Sequence, residues 1–418
     1  MIRSTVRALA LAGIAAASVG TTAAGAADTG PGDGVAAGIA AYKAAYPKLS
    51  DAQARAAAAG SDARRAVYDA AAADSETFGG AWFDPATGIV ILAATTDAAV
   101  KRGAALGKQY AVAVKPHKVQ RSAAALEADA AELRAGTDEL GKAAGGNVGV
   151  DVKTNSVIIA VAPERKAALA SQAEARGVKL VSESSSKIEA DADCTSRSAC
   201  DWTIRAGAVI WRGTLASPTP WCSVGFTGRN ANNTRFVLTA GHCSNGAGIG
   251  WGTGAENIGP MGASVNSGVV DTSAIQVTNS WFTGDTGGQI YVNPGISGCC
   301  DLKGVAPTVG YMIAGETVCL SANFTQPTVN GNSCGILGTN SDATVRGMAR
   351  VDGLDGCGGD SGGGWYWLSS SGNRYAYGIH SRSDGGCHGD TGGTRSWYTP
   401  VASAKANANF SAINIETR

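Results

Sequence analysis

Three short segments of this 418-residue chain carry residue types that can do chemistry together. Thr239-Ala240-Gly241-His242-Cys243 ends a strand-like stretch with a histidine beside a cysteine. Gly359-Asp360-Ser361-Gly362-Gly363 sets a serine in a glycine-rich turn, which exposes the hydroxyl and lets backbone N–H groups converge on one point. Between them, Val269-Val270-Asp271-Thr272-Ser273-Ala274-Ile275 seats a lone acid at the lip of an apolar strand. A serine hydroxyl is a weak nucleophile until a base takes its proton. A neutral histidine can do so near pH 7, and a buried carboxylate fixes its tautomer and orientation. The order is His, Asp, Ser: Asp271 follows His242 by 29 residues, and Ser361 follows Asp271 by 90.

Each residue alone has an ordinary explanation. A single histidine is most often a surface or satisfied residue, and an aspartate at a strand end is most often a cap or turn residue. Only His117, His242, His380 and His388 are available. His117 falls outside the segment carrying the other two partners, and His380 and His388 stand too near Ser361 for the order. Gly359-x-Ser361-x-Gly363 also fits the nucleophile elbow of an α/β-hydrolase, but that fold wants Ser, acid, His in chain order and strands alternating with helices. A non-catalytic binding protein on the same fold is a further alternative; it would be expected to lose a member of the trio, and none is lost.

The elements that must hold these residues divide the chain in two. All 10 cysteines lie between Cys194 and Cys387, and beyond residue 203 the only lysines are Lys303 and Lys405. The first half is rich in alanine, lysine and glutamate. Residues 30–75 have helical composition. Ala81 to Leu92, with Asp84-Pro85-Ala86-Thr87-Gly88 as its turn, predicts a β-hairpin, and a charged, alanine-rich stretch follows from Asp97 to Gly107. Val148 to Ile159 predicts a second hairpin and Pro163 to Ala175 another helix, with a helical stretch near 120–145 between the units. Ser182 to Asp193 is polar and reads as a linker. After residue 200 short strands alternate with glycine-rich turns, among them Arg235–Ala240, Val269–Val277, Thr344–Val351, Tyr375–Ser381 and Arg395–Val401, which implies a sandwich or barrel.

The N-terminus has the form of an export signal: Arg3 and Arg7, a short apolar core from Ala8 to Val19, and Ala24-Gly25-Ala26 as a small-residue cleavage site. That core is too short to cross a bilayer, so a secreted, extracellular product is expected, with its even number of cysteines in an oxidising compartment. The 34 basic and 34 acidic residues cancel. No basic excess or stripe suggests a nucleic-acid or membrane-surface partner, and no cluster with ligand spacing suggests a metal or cofactor.

Thr-Ala-Gly-His-Cys and Gly-Asp-Ser-Gly-Gly, in this order and spacing, resemble the trypsin/chymotrypsin superfamily of serine proteases, and the chain is similar to its bacterial streptogrisin and α-lytic protease branch. Residues 79–96 also resemble that branch's pro-region. The resemblance implies an all-β catalytic domain of two six-stranded antiparallel barrels, preceded by an α+β pro-domain. It divides the chain into a signal peptide (1–26), a pro-region that assists folding and inhibits (27–190), and a protease domain (191–418). It implies a secreted endopeptidase, most simply a monomer, whose partners are protein or peptide substrates and its own pro-region. His242 would be the general base, Asp271 its orienter and Ser361 the nucleophile. The N–H groups of Gly359 and Ser361 would form the oxyanion hole, and Ser381 would support the aspartate and line the substrate cleft.

The resemblance also matches Cys222–Cys243, Cys319–Cys334 and Cys357–Cys387 to family bridges. Cys194, Cys200, Cys299 and Cys300 remain, with three possible pairings. Asp355, six residues before Ser361, has two readings: a solvated turn acid, or the floor of a primary pocket holding Arg or Lys as in trypsin-like members. Against the second, Arg382 follows Ser381 and could neutralise Asp355 or block the cleft; an apolar, streptogrisin-like preference is the alternative. Two positions depart from the pattern. Gly364 stands where proline is usual, and Leu320 stands where the branch often has an arginine paired with the acid before the nucleophile, which leaves Asp360 without an evident partner.

Overall fold

The computed structural model describes residues 32–182 and 204–418, apart from 215–216, 245–249, 255, 284–286, 292–300, 324, 326–332 and 386–393. The expected export signal, the expected boundary near 190, and Cys194, Cys200, Cys299, Cys300 and Cys387 lie outside the described residues.

The alanine-rich start forms α1 (Gly32–Ala45), α2 (Asp51–Ala59) and α3 (Ser61–Ala72). Ser50 and Gln53 close a reciprocal capping box that fixes where α2 begins. The first hairpin pairs β1 (Phe78–Asp84) with β2 (Ile89–Ala94). Its turn is held by Asp84, whose carboxylate accepts from Ala86 N and Thr87 Oγ1, and is closed by Gly88 at φ 71°. Helix α4 (Asp97–Gln109) then leads to β3 (Val114–Lys118), which pairs in parallel with β2. The second unit repeats this after α5 (Ala123–Arg134) and α6 (Glu139–Ala144). Its hairpin is β4 (Val148–Asp151) and β5 (Ser156–Val161), followed by α7 (Lys166–Arg176) and the parallel strand β6 (Val178–Ser182). Both units thus end in a strand that the hairpin-plus-helix reading lacked.

The rest is β-structure in two sheets. The first joins β7 (Val209–Thr214), β8 (Ser217–Ser223), β9 (Phe226–Arg229), β10 (Arg235–Thr239), β11 (Gly250–Thr253), β12 (Glu256–Ser267) and β13 (Val270–Gln276). Their hydrogen-bonded order is β8-β7-β11-β12-β13-β10-β9, with Asn414–Ile415 added on β9. The second contains β14 (Gly304–Val305), β15 (Thr317–Ser321), β16 (Cys334–Asp342), β17 (Met348–Asp352), β18 (Gly364–Leu368), β19 (Arg374–Ser383) and β20 (Arg395–Pro400). Six of these close on themselves in the order β19-β18-β15-β16-β17-β20, while β14 adds in parallel on β19.

The second barrel closes as expected, whereas the first is a half-barrel among the described residues. Where β8 passes into β9, the Val224 and Gly225 N–H groups continue the flanking ladders to Ala208 beside β7 and Leu238 of β10, while Ser223 N–H, at the end of β8, crosses to Ser361 O of the serine turn. The strand expected at Thr344–Val351 begins later, at Met348, because Ala343–Val345 forms a 3₁₀ turn and Arg346 follows in the left-handed region.

The N-terminal region lies against the second barrel. Phe83 N–H donates to Ala314 O at 2.9 Å, and the Tyr42 hydroxyl donates to Gly315 O at 3.0 Å. Arg64 grips Glu316 with two donors, Nε to Oε1 at 2.6 Å and Nη2 to Oε2 at 2.8 Å, and the Tyr68 hydroxyl adds a third at 2.6 Å. Arg65 lies over the Tyr311 ring, 3.2 Å from its centroid. One continuous apolar core runs through this contact, from Tyr42, Val67 and Phe83 to Ile313, Leu337 and Tyr377. No helix among the described residues is long and apolar enough to cross a membrane.

Candidate active site

Strand β10 runs straight into the turn that carries His242, and the Cys222–Cys243 disulfide ties that turn to the end of β8. Gly241 is the one residue type the turn accepts. A Cβ there would stand 2.0 Å from Val265 O and 2.8 Å from Asp271 Oδ1. Asp271 sits at the start of β13, fully buried, with its N–H donating to Thr399 Oγ1 of β20 at 2.8 Å. Its Oδ1 accepts from His242 N–H at 2.8 Å, and its Oδ2 lies 2.7 Å from His242 Nδ1. Ser381 Oγ of β19 donates to the same Oδ2 at 2.5 Å. Nε2 of His242 faces outward to Ser361 Oγ at 2.8 Å. Burial alone would raise the Asp271 pKa, but the hydrogen bonds and charge of His242, with the Ser381 hydroxyl, outweigh it and hold the carboxyl below its ordinary range. With Nδ1–H committed to the carboxylate, the Nε2 lone pair is left for the serine proton.

The serine turn is shaped by two left-handed glycines, Gly359 at φ 91° and Gly362 at φ 87°. At Gly362 a Cβ would meet Thr239 Oγ1 at 2.1 Å, so the turn and the strand before His242 fit only without one. Ser223 clamps the turn that carries Ser361: its N–H donates to Ser361 O at 2.7 Å and its hydroxyl to Gly359 O at 2.8 Å. No acceptor among the described residues meets the Gly359 N–H, the expected oxyanion donor.

Asp360 is fully buried, and its partners are ones that sequence reasoning did not find. Thr325 donates to it twice, from Oγ1 at 2.5 Å and from N at 3.1 Å, and Cys357 N–H donates at 2.8 Å. Leu320, where an arginine was anticipated, packs in the core opposite Trp365. Neither Ser223 nor Thr325 belongs to a motif, so no local signal marks them.

Asp355 is 6% exposed, which sets aside a solvated turn acid; beside it Gly356 N–H donates to Ser383 Oγ at 2.8 Å. Arg382 does not pair with it. Its Nε reaches back to Ser381 Oγ at 3.4 Å. His380 is buried under Trp365, whose Nε1–H donates to its Nδ1 at 3.2 Å, and burial pushes its pKa down to about 3, so the ring is neutral. Of the expected bridges, Cys222–Cys243 and Cys319–Cys334 are formed and Cys357 is disulfide-bonded, while Cys387 lies outside the described residues.

A pair of β-barrel sheets meeting at a Ser–His–Asp hydrogen-bond chain defines a chymotrypsin-type serine endopeptidase. No family model matches the chain. Over 331 residues, covering 78% of this chain and 82% of the relative, it is 29% identical to Serine protease 1 of Streptomyces fradiae. Among solved structures, Nocardiopsis protease (22% identical) matches 51% of this chain and all of its own, with a TM-score of 0.37. Thermobifida fusca protease A (24% identical) matches 52% of this chain and all of its own, with a TM-score of 0.38. The chain is thus similar to chymotrypsin-like serine proteases of the streptogrisin and α-lytic protease type.

The Asp360 cluster gives a direct test. Thr325→Val keeps the shape but removes the donor to a buried carboxylate, a bond to a charged group worth about 1.5–3 kcal/mol. Urea unfolding should show a loss in that range, and Thr325→Ser should restore most of it.

Proposed function

We propose that this chain is the precursor of a secreted serine endopeptidase in which Ser361 is the nucleophile, His242 the general base and Asp271 its orienter. The observation that carries this reading is the unbroken chain from Ser381 Oγ through Asp271 and His242 to Ser361 Oγ, with contacts of 2.5, 2.7 and 2.8 Å. His242 Nε2 takes the serine proton as Oγ attacks a peptide carbonyl, and the N–H groups of Gly359 and Ser361 receive the oxyanion. Collapse breaks the C–N bond, the histidine proton passes to the leaving amine, and an acyl-enzyme remains. Water, deprotonated by the same histidine, then releases the acid. Ser361→Ala in the mature enzyme should abolish peptide cleavage and fluorophosphonate labelling while leaving the fold intact, and His242→Ala should cost about as much because the pair acts as a unit. Labelling that persists without Ser361 overturns the assignment.

We further propose that Asp355 lines the primary pocket and gives a preference for Arg or Lys; its burial supports this reading, since a buried acid favours a cation and rejects neutral side chains. Asp355→Ser should shift cleavage of a peptide library toward apolar or small residues. An unchanged profile would favour the apolar, streptogrisin-like alternative.

Residues 27–190 act as a pro-region that templates folding of residues 191–418 and covers the cleft until removed. Sheets with many non-local pairings fold slowly, because loop closure costs entropy before contacts repay it. The contacts of α1, α3 and β1 with the second barrel support this role. Disulfides within the barrels fit an oxidising, extracellular compartment. Refolded alone, residues 191–418 should recover little activity, and adding 27–190 as a separate chain should restore it. The segment with Arg64→Met should need roughly a hundredfold more to act, because it leaves buried Glu316 without its cation. Equal recovery with and without the segment removes the folding role.

A further inference from the structure

Two guanidinium groups stand without a carboxylate partner beside the cleft. Arg382 follows Ser381 on β19 and is 9% exposed. Its Nε makes one long contact, to Ser381 Oγ, and its Nη2 is buried with no partner. Arg346 reaches from the β16–β17 connection over the turn that leads into Asp271. It donates from Nε to Gly268 O, from Nη1 to Asn266 Oδ1 at 2.7 Å and from Nη2 to Val270 O at 3.0 Å. All three acceptors are neutral. Burial lowers both guanidinium pKa values, and each arginine feels Asp271 as an opposing charge, while Arg382 further lowers Arg346 by repulsion. Asp271 is already claimed by His242 and Ser381, so it offers neither arginine a hydrogen bond among the described residues.

Burying a cation with an unfilled donor is costly, and the guanidinium fork matches a carboxylate in geometry and charge. Along β19, Arg382 stands between Ser381, whose hydroxyl holds Asp271, and Ser383, whose hydroxyl accepts from the Gly356 N–H next to Asp355. On the reading that Asp355 meets the side chain of the cleaved residue, the arginines are left to residues before it in the substrate. We propose that Arg382, with Arg346 beside it, forms an anion-accepting subsite upstream of the scissile bond, so that the enzyme prefers peptides with Asp or Glu on the N-terminal side of the cleaved residue. This rests on the endopeptidase reading above. The chain itself carries a peptide of that charge: Ser182 to Asp193 contains Glu183, Glu189, Asp191 and Asp193 against one lysine, Lys187.

The test uses the mature enzyme and peptide pairs that differ only by Glu or Gln at each of the three positions before the cleaved residue. At one position kcat/KM for Glu should exceed that for Gln about tenfold, as one charge-assisted hydrogen bond allows, and the ratio should shrink with salt. Arg382→Met should bring it near one, and Arg346→Gln should lower it in part. Equal cleavage of Glu and Gln peptides at all three positions overturns the proposal and leaves the arginines as structural supports of Asp271. A ratio that survives both substitutions overturns the assignment to these residues. Fluorophosphonate labelling of the same samples separates the two readings. An enzyme that labels but shows no Glu preference defeats the subsite alone, whereas failure of the wild type to label defeats the hydrolase reading on which it rests.

Discussion

A carboxylate with no exposed surface, Asp271, has to stay ionised where two sheets meet, and much of the local sequence follows from that demand. Removing a carboxylate from water costs several kcal/mol unless hydrogen bonds replace the water. The replacements come from three directions: the His242 backbone and ring from the first sheet, the Ser381 hydroxyl from β19, and Thr399 of β20 on the Asp271 N–H. Both barrels therefore have to be formed before the acid is satisfied. Gly241 serves the same constraint, since any side chain there would collide with the carboxylate and with Val265 O. The order this creates is what gives His242 a single tautomer with Nε2 directed at Ser361.

The serine turn solves a second problem with the opposite material. Gly359 and Gly362 adopt conformations that side chains resist, which costs backbone entropy, and the turn recovers order through Asp360 buried beneath it. Among the described residues that acid is met by two neutral donors, Thr325 and the Cys357 N–H, while Leu320 packs in the core. Ser223 completes the clamp from the other barrel, so the order of the serine turn depends on both sheets.

Much of this was legible in the chain because its signals are local. A histidine beside a cysteine after an apolar run, a serine among glycines and an acid at a strand lip need only a few neighbours to be recognised, and the hairpin turn at Asp84 to Gly88 states its own geometry. Strands β3 and β6 were not legible. Val-Lys-Pro-His-Lys carries charges and a proline, and becomes a strand only because β2 offers it a parallel edge from Val90 to Ala94. Thr325 was silent for a similar reason, as a threonine in a loop acquires meaning only from Asp360, 35 residues away. The Arg64–Glu316 pair spans 252 residues and could not be inferred from either end.

That pair also bears on how firmly the N-terminal region and the second barrel are joined, and on what the proposed release of the first would leave behind. The apolar part of their contact, the shared core that includes Phe83, Ile313 and Leu337, supplies attraction without direction. Direction comes from polar groups that each need a partner once covered: the Gly315 carbonyl from Tyr42, Glu316 from Arg64 and Tyr68, and the Ala314 carbonyl from Phe83 N–H. In the joined state these bonds lie out of water, so losing one leaves a buried charge or carbonyl stranded and the cost is high. In the separated state water reaches both faces, and Glu316 and Arg64 are each hydrated. The same groups are therefore demanding when covered and undemanding when exposed. An interface whose specificity is carried by such pairs discriminates strongly against a wrong fit of either partner, and it leaves no permanently unsatisfied charge behind when the two part.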